Sequence, residues 1–272
     1  METALSIKND AVLKCARRWI ITAYVWDILY TLFSWFVVPK IIRMLMEQYG
    51  LYFSQVAPFY SYLSIIGNGI FLICIIIAFI KLKSHTNSVL RQASKLFIAA
   101  FVVNFIILQM NIYAGISKYI YETTAILFLP FLTAFLLTVV TYYLFIMSYT
   151  HLSKCSTLIK THSEIPILYI LTFLYSTSSI YNCTLLFIWI NLKSYMWGIL
   201  GNILSYIFGL GILILFIICW KRLFRTPSNI PDTEEKEIKI TFVPSKAEVG
   251  YLISLFLFTG IVYAMVYYIS IQ

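Results

Sequence analysis

Seven times this chain runs for roughly twenty residues or more with almost no charge, enough to cross a bilayer core of about 30 Å as a helix. The runs cover about 18–39, 57–82, 95–117, 124–149, 165–190, 195–220 and 249–269. They are continuous rather than alternating, which favours helices over the strands of a closed barrel. Only 11% of the 272 residues are charged, against roughly 25% in an ordinary soluble domain. With 61% of the chain hydrophobic, only lipid can cover such a surface. In lipid, helices satisfy every backbone group internally. The sequence therefore predicts an all-α fold, a polytopic seven-transmembrane helix bundle forming one domain over 1–272.

Basic residues set the predicted orientation. The N-terminal tail and the second-to-third, fourth-to-fifth and sixth-to-seventh connections hold 16 Lys and Arg, while Lys40, Arg43, Lys118 and Lys193 make 4 on the other side. Positive charge marks cytoplasmic loops, so the N-terminus is expected in the cytoplasm and the C-terminus outside or in a lumen. The first run lies in CARRWIITAYVWDILYTLFSWFVVPK, 15–40. It exceeds the signal-peptide core of about 7–15 residues and lacks a small-residue cleavage site. It reads as a retained anchor helix. The net charge of +9 is spread over separate loops, which argues for membrane orientation and against nucleic acid as a partner.

Two connections stand out. KIIRMLMEQY, 40–49, puts Ile41, Ile42, Leu45, Met46 and Tyr49 on one helical face and Lys40, Arg43, Glu47 and Gln48 on the other, between Pro39 and Gly50. It suits the outer membrane interface. The connection at 221–248 turns from basic to acidic to basic, with Pro227, Pro231 and Pro244 preventing one continuous helix. It reads as a solvated linker or as the docking site of a cytoplasmic protein partner.

No catalytic pattern is present. There is no H-E-x-x-H, G-x-S-x-G or P-loop motif, and an enzyme is not expected. His85, His151 and His162 fall in or beside connections, and the five cysteines have no metal-ligand spacing, so neither metal nor cofactor is implied. Asn182-Cys183-Thr184 matches a glycosylation pattern, but it falls inside the fifth run. Asn182 therefore reads as a buried polar contact.

The chemically informative residue is Asp27, the one acidic side chain deep in a run. Insertion of Asp at a helix centre costs about 2.5–3.5 kcal/mol. All 20 basic residues fall in connections, tails or run ends, so none is placed to pair with it. Its expected partners are Asn68, Asn104, Asn111, Asn182, Asn202 and the many tyrosines. Such a carboxyl either serves a proton, a cation or a ligand amine, or ties two helices together.

Gly67-Asn68 and the apolar run into LKSHTN, 82–87, resemble the first helix and first inner loop of rhodopsin-like receptors. That resemblance implies a serpentine receptor bundle. It ends there, because no Asp-Arg-Tyr-like triplet follows the fourth run at MSYTHL. The predicted orientation resembles that of insect odorant and gustatory receptors and of heliorhodopsins. Heliorhodopsins attach retinal to a lysine of the last helix, and 249–269 contains none. The function expected from the sequence is receptor-like or sensory signalling through cytoplasmic loops. A transporter or channel subunit, with Asp27 on the path, is the runner-up, and a structural subunit of a membrane complex is third.

Overall fold

The computed structural model describes residues 2–121, 125–155, 158–176, 195–224, 249–250, 253–254, 257 and 261. Their helices are α1 (Glu2–Phe36), α2 (Val38–Tyr49), α3 (Phe53–Lys83), α4 (Ser88–Tyr121), α5 (Ala125–Ser153), α6 (Glu164–Ser176) and α7 (Tyr195–Leu223). Among the described residues there is no strand. Five helical stretches among the described residues are long and apolar enough to cross a membrane: Ala11–Tyr49, Pro58–Lys83, Ser88–Met110, Leu136–Ser153 and Tyr206–Leu223. They make the chain a multi-pass membrane protein. The fifth predicted run opens on α6, and its residues 177–190 lie outside the described set. Within the seventh, residues 249, 250, 253, 254, 257 and 261 are helical, and the others lie outside it.

The packing alternates in direction, as ring contacts between neighbouring helices show. Against α1, Trp26 meets Gly67 and Tyr24 meets Phe71, so α3 runs antiparallel to α1. Phe71 meets Phe101 and Phe79 meets Phe97, which reverses α4. Phe101 meets Phe145 and Phe97 meets Tyr149, which reverses α5. Tyr142 meets Phe173 and Thr150 meets Tyr169, which reverses α6. Finally α7 closes on α1 in the opposite sense, through Tyr24–Phe216 and Trp35–Tyr206.

This alternation gathers the start of α1 and the basic ends of the bundle at one end. Lys14, Arg18, Lys81, Lys83, Arg91, Lys95, Lys154, Lys160, Lys221 and Arg222 are all exposed there. The connections at this end are fastened to one another. Asn87 caps α4, its side-chain oxygen accepting the Leu90 N–H at 2.9 Å. Cys155 Sγ approaches the same oxygen at 3.9 Å. The Lys160 N–H donates to the Leu223 carbonyl at 3.1 Å, which satisfies an otherwise open C-terminal acceptor of α7.

Two local features differ from, or sharpen, the sequence expectation. The helix of the first run begins well before it, at Glu2. Leu13, Ala16, Ile20 and Ala23 are buried at spacings of three and four, so packing carries the helix through the basic cluster while Lys14 and Arg18 point outward. The stretch at 40–49 is indeed helical, as α2. Pro39 sits at its second position, where no N–H is needed. Gly50 ends it at φ 63°, a left-handed cap suited to glycine. Lys40, Arg43, Glu47 and Gln48 are exposed and Ile41, Ile42 and Leu45 half-buried.

Candidate functional site

The middle of the bundle holds a small, partly open cavity of about 30 Å³. A single water needs roughly 10–15 Å³, so the space suits about two. Its lining is Tyr24, Asp27, Phe71, Phe101, Asn104, Phe145, Tyr149, Thr172, Tyr175, Leu213 and Phe216. Every helix except α2 contributes.

Helical register explains how the lining assembles. Residues three or four apart share a helix face. Tyr24 and Asp27 are such a pair on α1, and Phe101 and Asn104 on α4. Phe145 and Tyr149 pair on α5, Thr172 and Tyr175 on α6, and Leu213 and Phe216 on α7. Seven of these side chains are aromatic, and they form one unbroken chain of ring contacts. Tyr175 meets Phe216 at 6.5 Å between centroids, Phe216 stacks on Tyr24 at 5.1 Å, and Tyr24 meets Phe71 at 5.5 Å. Phe71 then meets Phe101 at 5.9 Å, Phe101 meets Phe145 at 4.9 Å, and Phe145 stacks on Tyr149 at 6.2 Å. Aromatic pairs at these separations gain beyond simple burial.

The polar groups on this ring structure are few. The Tyr149 hydroxyl and Thr172 Oγ1 hydrogen-bond at 2.8 Å, and the Tyr175 hydroxyl engages the Asn104 side chain. Asp27 is half-buried and lies within electrostatic reach of Tyr24, Tyr30 and Tyr175. Among the described residues no hydrogen bond and no ion pair reaches its carboxylate.

Of the asparagines expected around Asp27, Asn104 is brought to it. Asn68 is not. Its amide donates to the Ser64 carbonyl and to Ser64 Oγ, each at 2.9 Å, within its own helix. A short polar side chain in an apolar helix satisfies itself one turn back more cheaply than across a helix interface. Asn111 and Asn202 lie on α4 and α7, with side chains outside the described set, as is the whole of Asn182. The tyrosines were the better expectation: Tyr24, Tyr149 and Tyr175 are all in the wall. The sequence reading missed Phe71, Phe101, Phe145 and Phe216. An aromatic–polar pair at spacing three marks Phe101, beside Asn104, while Phe71, Phe145 and Phe216 carry no such signal.

The histidines lie away from the cavity. His85 and His151 are buried near the basic end, and His162 is exposed. His151 Nδ1 pairs with the Met147 carbonyl at 2.8 Å. Among the described residues no three His, Cys, Asp or Glu side chains group as a metal site.

The Tyr149–Thr172 bond ties α5 to α6 at the cavity wall. Tyr149→Phe should lower stability in detergent by about 0.5–1.5 kcal/mol. The cause is that Thr172, itself buried, loses its partner. Thr172→Val in the same background should recover part of that loss, because both halves of the polar pair are then gone. Unfolding titrations of the single and double variants measure both effects.

Comparison of the chain with protein-family models, with curated proteins and with solved structures finds no match, so its functional reading rests on this cavity.

Proposed function

We propose that this multi-pass membrane protein is a receptor-like sensor. In this reading its N-terminus is cytoplasmic, a ligand occupies the Asp27 cavity, and the output surface is the connection at 221–248. The observation that carries the reading is the small carboxylate-bearing cavity joined to the basic end of the bundle by a run of ring contacts. From Tyr149 the stack passes to Phe97 at 5.3 Å, to Trp220 at 5.6 Å and to Phe224 at 5.7 Å. Phe224 lies at the start of that connection.

A transport path needs water on both sides of its binding site in turn. The cavity is small and walled by rings, which supports sensing over conduction. A ligand acts on such a bundle by preferring one packing of it. Occupancy that spreads Tyr24 from Phe216 alters the α1–α7 seam, and α7 carries the change to its fastened end. The unpartnered carboxylate is what favours transport as the second reading, since such groups also serve ion pathways.

Flux separates the two. Proteoliposomes holding the full chain should show no Asp27-dependent movement of protons, sodium or methylammonium. Flux abolished by Asp27→Asn would replace the sensor with a transporter. Orientation is tested independently by single-cysteine labelling in a cysteine-depleted background. Residues 85–92 and 230–240 should label from the cytoplasmic side. External labelling of 230–240 would invert the bundle and remove the proposed output surface.

A further inference from the structure

Among the described residues, Asp27 presents a carboxylate with no counter-charge. All 20 basic residues of the chain lie in connections, tails or span ends, and among the described residues nothing bonds to its carboxylate. The walls facing it are aromatic rings from six helices. A ring face carries negative electrostatic potential and attracts cations, most strongly where water is excluded. A carboxylate inside a shell of rings is thus matched to a cation that offers N–H donors to the acid and C–H surface to the rings.

A bare sodium ion fits this chemistry poorly. Seven of the eleven lining residues are aromatic, and such a wall suits a cation that carries C–H surface better than a bare ion that needs oxygen ligands on every side. A neutral ligand would leave the carboxylate unpaired, at a cost comparable to a lost charged hydrogen bond. Size narrows the class further, since room for about two waters admits an ion of two or three heavy atoms.

From this we infer that the cavity binds a small primary or secondary ammonium ion, of the size of methylammonium or dimethylammonium. Its N–H groups donate to the Asp27 carboxylate and its methyl carbons pack against Tyr24, Phe71 and Phe216. This rests on reading the cavity as a sensory site, and it adds the class of ligand.

The test uses the full chain in nanodiscs of neutral lipid, melted with intrinsic tryptophan fluorescence as the signal. Methylammonium chloride should raise the melting temperature saturably. Sodium chloride and potassium chloride at equal ionic strength should not, nor should methanol, which is similar in size and uncharged. Tetramethylammonium should be excluded by size. Asp27→Asn should weaken the apparent affinity at least about tenfold. Phe216→Leu, which keeps the carboxylate and removes a ring, should weaken it about 2- to 30-fold.

Equal response to sodium would identify a bare-ion site, and equal response to methanol a neutral pocket. No methylammonium response, or one unchanged in both variants, would likewise overturn the inference. None of these results alters the flux test. Conversely, methylammonium binding together with Asp27-dependent flux would keep the ligand class and discard the sensor.

Discussion

Trp220→Ala should lower the stability of the bundle by about 3–5 kcal/mol, the largest loss expected from a single side chain. Trp220 is 1% exposed. It touches Phe79 at 6.1 Å, Phe97 at 5.6 Å and Phe224 at 5.7 Å. Truncation leaves a void among rings from α3, α4 and the turn that follows α7. Lipid cannot fill it from outside, and the neighbouring rings can collapse only by moving α3, α4 and α7 together. Trp220→Phe keeps most of the volume and should cost far less. Because the residue also sits midway along the stack from Tyr149 to Phe224, Trp220→Phe offers a stable variant for functional work. In the sensor reading it should retain methylammonium binding and lose the response of the 225–248 segment. Detergent unfolding curves and proteolysis of that segment, with and without methylammonium, measure the two effects separately.

The second large effect is expected at Gly67. A Cβ built there would fall inside the ring of Tyr30. On the same residue, the Gly67 carbonyl accepts the Trp26 indole N–H at 2.8 Å. The two helices are therefore held close by one contact while the missing side chain makes room for another. Gly67→Ala should cost about 1–3 kcal/mol, because Tyr30 must swing away or α1 and α3 must part and stretch the indole bond. Tyr30→Ala should make Gly67→Ala nearly neutral. A double-mutant cycle should accordingly give a coupling of similar size to the single loss. Additive losses would show that Gly67 is needed for some reason other than Tyr30.

How much of this was legible beforehand follows from what lipid hides. Long uncharged runs announce spans, since few other environments accept them, and five are seen as helices of the needed length. The amphipathic stretch 40–49 and its flanking Pro39 and Gly50 were equally readable, because α2 has two chemically different faces. Inward and outward faces of the spans are another matter. Ile73 and Ile80 face outward while Ile75 and Phe79 are buried, and nothing in side-chain polarity separates them. In water the apolar face is the inner face; in a bilayer both faces are apolar. Asp27 was conspicuous for its charge and Asn104 for its amide, and the structure unites them. Asn68 carried the same polarity signal and spends it on Ser64. The ring wall went unread because Phe71 or Phe216 looks like any lipid-facing phenylalanine until its neighbours are known.

The seam between α1 and α7 has a consequence for how the protein is made. Tyr24 stacks on Phe216, which follows it by 192 residues of the 272 in the chain. Until α7 enters the bilayer, α1 carries Asp27 with one wall of its enclosure missing. Contacts so distant in sequence form late, and a half-built bundle leaves a carboxylate facing lipid or an assembly factor. The cavity is thus also a mark of completion. A chain truncated before α7 should be recognised as unfinished and degraded, even though most of its helices are already in place.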